Sequence, residues 1–121
     1  MNLAKTDKRK VLEVRHLSPS AYALRIERGD LEILPGQCAN LGLFGTGINR
    51  EYSLYTANTD PYLEFLIKEI KGGQVSPALR LLKPGDEVEF DGPYGEFLLE
   101  KPDDLSRKYI FIGSGTGIAP Y

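Results

Sequence analysis

The chain has 121 residues, a formal net charge of −2 and 41% hydrophobic residues. This length suits one domain with a sizeable core, and the slightly acidic balance argues against nucleic acid as a partner, since a phosphate backbone requires a basic surface. No apolar run approaches the roughly twenty residues that cross a bilayer, and the first residues lack the apolar segment of a signal peptide. A cytoplasmic protein without membrane contact is therefore expected.

Short alternating segments predict a mainly β fold. Thirteen glycines and eight prolines indicate many turns. Residues 1–9 are expected to form a solvated N-terminal tail, and residues 10–105 one β-barrel domain. The predicted strands are 11–17, 21–27, 39–44, the segment at Arg50, 62–70, 87–90 and 97–99, with a turn at 91–95. About six closely spaced strands predict a closed or nearly closed antiparallel barrel.

Cys38 is the only cysteine and His16 the only histidine. A single cysteine cannot form a disulfide within the chain or build an iron–sulfur or zinc site by itself, so no metal site is predicted. No nucleophile accompanies His16 on its strand, which excludes hydrolase chemistry. Cys38 is expected to be a small buried residue, and His16 to have a surface or packing role.

A fixed cation, an aromatic ring and a hydroxyl lie within four residues in Arg50-Glu51-Tyr52-Ser53. The guanidinium can form paired hydrogen bonds with a phosphate, and the phenol ring can lie against a flat heterocycle. Alternation along a strand would place Arg50 and Tyr52 on one face and Ser53 on the other, although the Ser53 backbone N–H would still reach a ligand. The segment predicts a nucleotide-like cofactor; the alternative is an edge-strand arginine beside a core tyrosine.

A short helix is predicted after Gly72-Gly73-Gln74-Val75-Ser76-Pro77. Ser76 is a favoured N-cap residue, and Pro77 suits the first helical position. The first N–H groups of a helix have no internal partner and attract anions, and the glycines in front leave room for one. Together with Arg50, this segment predicts a diphosphate shared between a strand and a helix start. Taken alone, it is equally consistent with an ordinary capped connector between strands.

The last segment has a different pattern. Residues 108–112 form a short apolar stretch that runs into the glycine-rich segment 113–120, with Pro120 placed to open a helix. This is the pattern of the first strand and turn of a βαβ unit, although Ile118 replaces the final glycine of the strict fingerprint. Residues 106–121 are therefore expected to begin a truncated α/β nucleotide-binding domain; the alternative is a glycine-rich tail.

Three motifs in this order resemble the flavin domain of the ferredoxin–NADP reductase superfamily, especially the bacterial ferredoxin/flavodoxin–NADP reductases. The motifs are Arg50-Glu51-Tyr52-Ser53, Gly73-Gln74-Val75-Ser76 at a short helix, and Gly115-Thr116-Gly117-Ile118-Ala119-Pro120. The resemblance covers nearly the whole chain. It implies a mainly β fold, a six-stranded antiparallel Greek-key barrel with one short capping helix, bound to FAD.

The resemblance also implies roles for the motif residues. Arg50 would contact the pyrophosphate, Tyr52 would pack on the flavin and ribityl region, and Ser53, the expected catalytic residue, would bond near N5. The backbone of one strand would meet the ring edge, the glycine turn would hold the phosphates, and Thr116 would lie where nicotinamide arrives. The expected cofactor-binding residues are Arg50, Glu51, Tyr52, Ser53, Ile67, Lys68, Glu69, Gly73, Gln74, Val75, Ser76 and Thr116.

By this resemblance, the parent protein is expected to be an FAD-dependent oxidoreductase. It would move electrons between NADP(H) and ferredoxin or flavodoxin, with hydride passing through flavin N5. This chain alone is not expected to oxidise NADPH efficiently, since the nucleotide-binding half of the family does not follow Tyr121. Two alternatives remain open: the flavin module of an oxygenase reductase component, and a β-barrel binding module without a redox role.

Overall fold

The computed structural model describes residues 7–95, 97–99 and 103–121. Its elements, in chain order, are β1 (Asp7–His16), β2 (Ala21–Glu27), β3 (Cys38–Leu43), β4 (Asn49–Ser53), β5 (Tyr62–Lys68), α1 (Ser76–Arg80), β6 (Glu87–Tyr94) and a 3-10 turn (Gly115–Ile118). Within the described ranges, no helix has the length and apolar character needed to cross a bilayer.

The six strands form one antiparallel sheet with the order β4-β3-β6-β1-β2-β5. An isolated bridge between Leu54 and Phe65 brings the chain after β4 next to β5. The strands β6, β3, β4 and β5 then follow one another in Greek-key order, in which the last of four strands returns beside the first. The predicted six antiparallel strands and short helix are confirmed. The sheet is not closed, however, because no ladder joins β4 to β5 among the described residues.

Alternation along β2 and β5 builds the core. Leu24, Ile26, Phe65 and Ile67 lie at every second position and have no exposed surface. Leu79 of α1 joins the same cluster and is also completely buried. Burial of one such side chain contributes about 1.5–3 kcal/mol relative to exposure. Packing of Leu79 therefore holds the short helix against the sheet.

β1 begins earlier than predicted, so residues 7–9 are not the solvated tail expected from their charge. These residues pair with β6. Lys8 forms an ion pair with Glu87 at 3.1 Å, and the Arg9 guanidinium lies 5.2 Å from the centroid of the Phe90 ring. Long charged side chains can cover a sheet with their stems while their charged ends stay in water, which a charge pattern alone does not reveal.

β6 continues through residues 91–94, where a turn is predicted. A Cβ on Gly92 would come within 2.8 Å of the Ala39 Cβ, and the pairing of β3 with β6 shifts register at this point. The glycine thus permits a close approach of two strands at an irregularity of the ladder, rather than a chain reversal. Residues 97–99, predicted as a strand, are not part of the sheet.

The C-terminal segment does not form its predicted strand. Residues 108–112 form no β-ladder with the described strands, and Ile110 and Ile112 are 88% and 81% exposed. An apolar stretch becomes a stable strand only beside a partner strand. The 3-10 turn follows, and Pro120 comes after it instead of opening a helix.

Candidate functional site

The guanidinium of Arg50 and the segment before α1 lie together, as the sequence predicts. Arg50 Nη2 donates to Gln74 Oε1 at 3.2 Å, and Arg50 Nη1 donates to the Asn49 carbonyl at 2.7 Å. Both partners are neutral, and Arg50 is exposed. Since a guanidinium carries five N–H donors, Arg50 keeps donors for an anion at this place.

Ser76 does not cap the helix. Val75 precedes α1 without a capping side chain, and Ser76 Oγ instead accepts a hydrogen bond from the Ile70 backbone N–H at 2.8 Å. The Ser76 carbonyl accepts from the Tyr22 hydroxyl at 2.6 Å, and only 4% of Ser76 is exposed. The predicted cap is therefore wrong, because the hydroxyl bonds a backbone group across the turn. Ser76 shapes the turn with its side chain.

Two glycines fix the path of this turn. Gly72 has φ +75°, a left-handed conformation that glycine adopts readily. A Cβ on Gly73 would come within 2.9 Å of the Ile70 carbonyl oxygen, which accepts from the Gly73 N–H at 2.8 Å. The next backbone N–H groups, of Gln74 and Val75, donate to no acceptor within the described part of the chain. Backbone donors thus stand beside Arg50.

Tyr52 is half-buried and packs against the core cluster. Burial raises the pKa of its hydroxyl, an effect that the Arg50 cation partly offsets. The phenol is therefore neutral near pH 7. The ladder with β3 places Tyr52 and Arg50 two positions apart, so both lie on one face of β4. The predicted placement of the cation and the ring on one face is confirmed.

The outer edges of β4 and β5 separate beside the Leu54–Phe65 bridge. Beyond that bridge, within the part of the chain that the structure describes, β4 forms a ladder with β3 alone and β5 with β2 alone. Unpaired strand edges carry a row of free N–H and C=O groups. We call this place the open edge of the sheet.

Two residues of β4 direct backbone groups into the open edge. The Leu54 N–H donates to the Gln37 carbonyl at 2.9 Å, so Leu54 bonds on the β3 side. Along a strand, the side to which each residue points its backbone N–H and C=O groups alternates from one residue to the next. Tyr52 therefore also bonds toward β3, whereas Ser53 and Glu51 direct these groups away from β3. The orientation agrees with the predicted reach of the Ser53 N–H toward a ligand.

On β5, the same rule selects Leu66 and Lys68. The Glu64 carbonyl accepts a hydrogen bond from the chain after β4 at 2.7 Å, so Glu64 bonds on the open side. Two-residue alternation in an uninterrupted register turns Leu66 and Lys68 the same way. The Glu69 N–H donates to the Ser20 carbonyl at 2.7 Å, on the opposite side.

Of the predicted backbone contacts on this strand, the structure brings only Lys68 to the open edge. Ile67 and Glu69 bond on the β2 side by the same alternation. The Ile67 side chain is completely buried, and the Glu69 carboxylate pairs with Arg80 at 3.1 Å. Leu66 is the residue that sequence reasoning missed. Alternation counted from Glu64 identifies it once the contact with the chain after β4 is known.

Thr116 lies beside β5, where β5 pairs with the start of β2. It is half-buried in the 3-10 turn and lines a pocket with Leu66, Lys68 and Ser20. Ser53 lies on β4, across the open edge. The structure therefore brings Thr116 beside Leu66 and Lys68, and its predicted role near a nicotinamide stays a prediction.

Glu51 engages the face of β4 opposite to Arg50. Burial raises the pKa of the Cys38 thiol, and the Glu51 carboxylate, which bonds that thiol, raises it further. A thiol held in its neutral form is a poor nucleophile. Cys38 is only half-buried, however, rather than buried as expected. Glu51 thus faces the open edge with its backbone rather than its side chain.

Comparison with known proteins points in one direction. Residues 9–98 match the family model described as oxidoreductase FAD-binding domain. The chain is 37% identical over 115 residues to the toluate 1,2-dioxygenase electron transfer component of Pseudomonas putida, a match that covers 92% of this chain and 33% of that protein. It is 33% identical over 115 residues to the flavodoxin/ferredoxin–NADP reductase of Shigella flexneri, covering 93% of this chain and 46% of that protein.

A solved structure agrees with these matches. The fold is similar to that of a ferredoxin–NADP+ reductase from Plasmodium falciparum with 2′P-AMP, with a TM-score of 0.81 at 28% identity. That match covers 94% of this chain and 48% of the other. The chain thus spans less than half the length of each of these relatives.

Proposed function

We propose that this chain, which belongs to the oxidoreductase FAD-binding domain family, holds FAD at the open edge between β4 and β5, with the diphosphate at Arg50. One observation carries the proposal: Arg50 meets Gln74 beside two strand edges that, among the described residues, meet in a single bridge and form no ladder. A cation, backbone donors and an aromatic ring converge there, and a flavin dinucleotide requires all three.

The diphosphate would lie between Arg50 and residues 73–76. Arg50 supplies the charge, because its present partners, the Gln74 amide and the Asn49 carbonyl, are neutral groups. Exchange of the amide oxygen for a phosphate oxygen would replace a neutral acceptor with a charged one and strengthen the bond. α1 has only five residues, so its dipole adds little.

The flavin ring would meet the backbone groups of the open edge. Ser53 and Glu51 on one side, and Leu66 and Lys68 on the other, would bond its polar atoms, as a free strand edge bonds an added strand. Bound FAD supplies the chemistry that these side chains lack, since it accepts two electrons as hydride and releases them singly. Ser53 would hold a hydrogen bond near N5, and the neutral Tyr52 ring would exclude water from the ribityl side.

The whole protein would move electrons between NADP(H) and ferredoxin or flavodoxin. Similarity to reductases whose names state these partners supports this reading. In this proposal the FAD domain extends from β1 to residue 105, and residues 106–121 begin a nucleotide-binding domain with Thr116 near the nicotinamide. The chain alone would oxidise NADPH poorly, and we place the protein in the cytoplasm.

A second candidate is the flavin module of an oxygenase reductase component. The dioxygenase electron transfer component has a higher identity to this chain than the flavodoxin/ferredoxin–NADP reductase has, which favours this candidate. An appended iron–sulfur module needs several cysteines, and this chain has one. A cysteine cluster elsewhere in the gene would therefore distinguish the two candidates. The family match argues against the third alternative, a barrel without a redox role.

Titration of the chain with FAD, followed by flavin absorbance and fluorescence, tests the cofactor site. Arg50→Ala is expected to weaken binding by about 1.5–3 kcal/mol, or roughly 10- to 150-fold, because a charged hydrogen bond to phosphate is lost. Arg15→Ala is the matched control, since Arg15 is exposed on β1 and forms no ion pair with any described residue. A folded wild type that binds no FAD, or an Arg50→Ala variant that binds it equally well, would contradict the proposal.

A further inference from the structure

Tyr22 connects the sheet to the turn that faces Arg50. It is completely buried on β2, and its hydroxyl donates to the Ser76 carbonyl, 54 residues further along the chain, at 2.6 Å. We propose that Tyr22 is a positioning residue for the diphosphate site, which fixes residues 70–76 in place relative to Arg50. This inference rests on the proposed FAD site.

The turn is shaped by its own bonds but is attached to the sheet by others. The Ile70 N–H bonds Ser76 Oγ at 2.8 Å, which holds the two ends of the turn together. That bond would survive a movement of the whole turn. The contact of Gln74 with Arg50 is exposed and would be exchanged when a phosphate binds. The hydroxyl of Tyr22 therefore makes a buried hydrogen bond between the turn and the sheet that persists both with and without a bound phosphate.

Arg80 anchors the opposite end of α1. Its guanidinium donates to the carbonyls of Ser18 and Pro19, each at 2.8 Å, and pairs with Glu69 at 3.1 Å. It also lies 5.6 Å from the centroid of the Tyr22 ring. The helix is thus fixed at its first residue by Tyr22 and at its last by Arg80. Loss of the first attachment would leave the start of the helix held by the core packing of Val75 and Leu79, without a hydrogen bond to the sheet.

The Tyr22 hydroxyl donates in its neutral form. Burial raises the pKa of this phenol, the negative charge on Glu69 adds to the effect, and the Arg80 cation opposes it. The proton stays on the oxygen at the pH values at which FAD binding is measured. The bond to Ser76 is therefore a constant attachment rather than a pH-dependent one.

Tyr22→Phe tests the role, because it removes the hydroxyl and keeps the ring in the core. The FAD dissociation constant is expected to rise about three- to tenfold, as for one neutral hydrogen bond. Affinity for riboflavin, which has no diphosphate, should change less than about twofold by the same reasoning. Tyr62→Phe is the matched control, since the Tyr62 ring lies 4.1 Å from the Arg25 guanidinium at the other end of β5.

A second measurement needs no ligand. Hydrogen exchange of the Gln74 backbone amide should be faster in Tyr22→Phe than in wild type and unchanged in Tyr62→Phe. A selective loss of FAD affinity together with this faster exchange supports the positioning role.

Three results would overturn the role. Equal FAD affinity in Tyr22→Phe and wild type removes it but leaves the FAD site intact, since Arg50→Ala tests that site separately. Equal weakening of FAD and riboflavin, with a lower melting temperature, marks a general loss of stability and also removes it. A wild type that binds no FAD ends both the proposed function and the positioning role.

Discussion

Two arginines flank α1, and their surroundings differ. Arg80, its last residue, donates to two backbone carbonyls and to His16 Nδ1 and pairs with Glu69, and only 12% of its side chain is exposed. Arg50, beside the start of the helix, is exposed and bonds two neutral groups, one of which belongs to the preceding residue. The same residue type thus has a complete set of partners at one end and exchangeable partners at the other.

This difference separates a structural arginine from one that is available for a ligand. The donors of Arg80 are engaged by acceptors of its own chain, so an anion that replaced them would leave Glu69 and two carbonyls without partners. At Arg50, a phosphate would replace a neutral amide and form a stronger, charged bond. The partners of an arginine, rather than the residue type, indicate where a diphosphate binds.

The largest expected effect on stability is that of Arg80→Ala. The variant should lose about 2–4 kcal/mol of unfolding free energy, because it leaves the Glu69 carboxylate unpaired and removes bonds to the β1–β2 turn. Arg50→Ala should change stability by less than about 0.5 kcal/mol, as for an exposed side chain. Urea denaturation measures the free energy of unfolding of both variants. Similar losses in the two variants would contradict the distinction between a structural Arg80 and an Arg50 that is available for a ligand.

The Arg50→Lys variant tests whether a positive charge alone at position 50 is enough for full FAD affinity. Lysine keeps the positive charge but loses the planar fork that bonds two phosphate oxygens. FAD affinity should fall by about 1.5–2 kcal/mol, roughly 10- to 30-fold, in a fluorescence titration. Wild-type affinity in this variant would mean that Arg50 acts only as a point charge. The paired hydrogen bonds proposed between Arg50 and two phosphate oxygens would then be wrong.

Gln74→Glu would make the partner of Arg50 resemble that of Arg80. A carboxylate at this position would pair with Arg50 and compete with the diphosphate. We expect a loss of about 1 kcal/mol in FAD binding, roughly fivefold, that diminishes as added salt screens the new pair. Gln74→Ala is the control and should stay within about twofold of wild type, since it removes only a neutral partner. Equal affinities in the two variants would argue against phosphate binding beside Gln74.

Local patterns predict the exposed arginine well and the buried one poorly. Alternation in Arg50-Glu51-Tyr52-Ser53 gives the correct faces, since each residue of a strand depends on its immediate neighbours. The acceptors that Arg80 bonds in Ser18 and Pro19 lie 62 and 61 residues earlier. Local sequence patterns span only a few residues and cannot show that such distant positions come into contact. Ser76 shows the same limit at shorter range, because a backbone N–H six residues away takes the hydroxyl expected to cap the helix.

Two glycines show the same contrast between a local requirement, which the sequence reveals, and a distant one, which it does not. Gly72 meets a local requirement, a positive φ in a turn, and the predicted turn is present. Gly92 meets a distant one, the close approach of Ala39 from another strand, so the turn predicted around it is a continuing strand. The open edge could not be predicted either, since the count of six strands does not say which two edges fail to pair.

The smallest predicted effect is the response of Tyr22 to alkaline pH. Burial holds the pKa of Tyr22 above its ordinary value of 10.0 in the folded chain. Its contribution to stability is therefore complete below about pH 10 and falls above it, because the unfolded chain then releases a proton that the folded chain keeps. Between pH 9 and 10.5 this one group should remove less than about 1 kcal/mol, and Tyr22→Phe should lose correspondingly less.

Urea unfolding of both proteins at the two pH values measures this difference. A bond to Asp91 raises the pKa of Tyr94, whose effect cancels because it is present in both proteins. Tyr52, whose pKa is raised by burial, also raises the pKa of Tyr22, so the measured difference includes this mutual effect. An equal loss of unfolding free energy in wild type and in Tyr22→Phe would mean that water reaches the Tyr22 hydroxyl. The first residue of α1 would then lack a buried attachment, and only the Arg80 end of the helix would be firmly held.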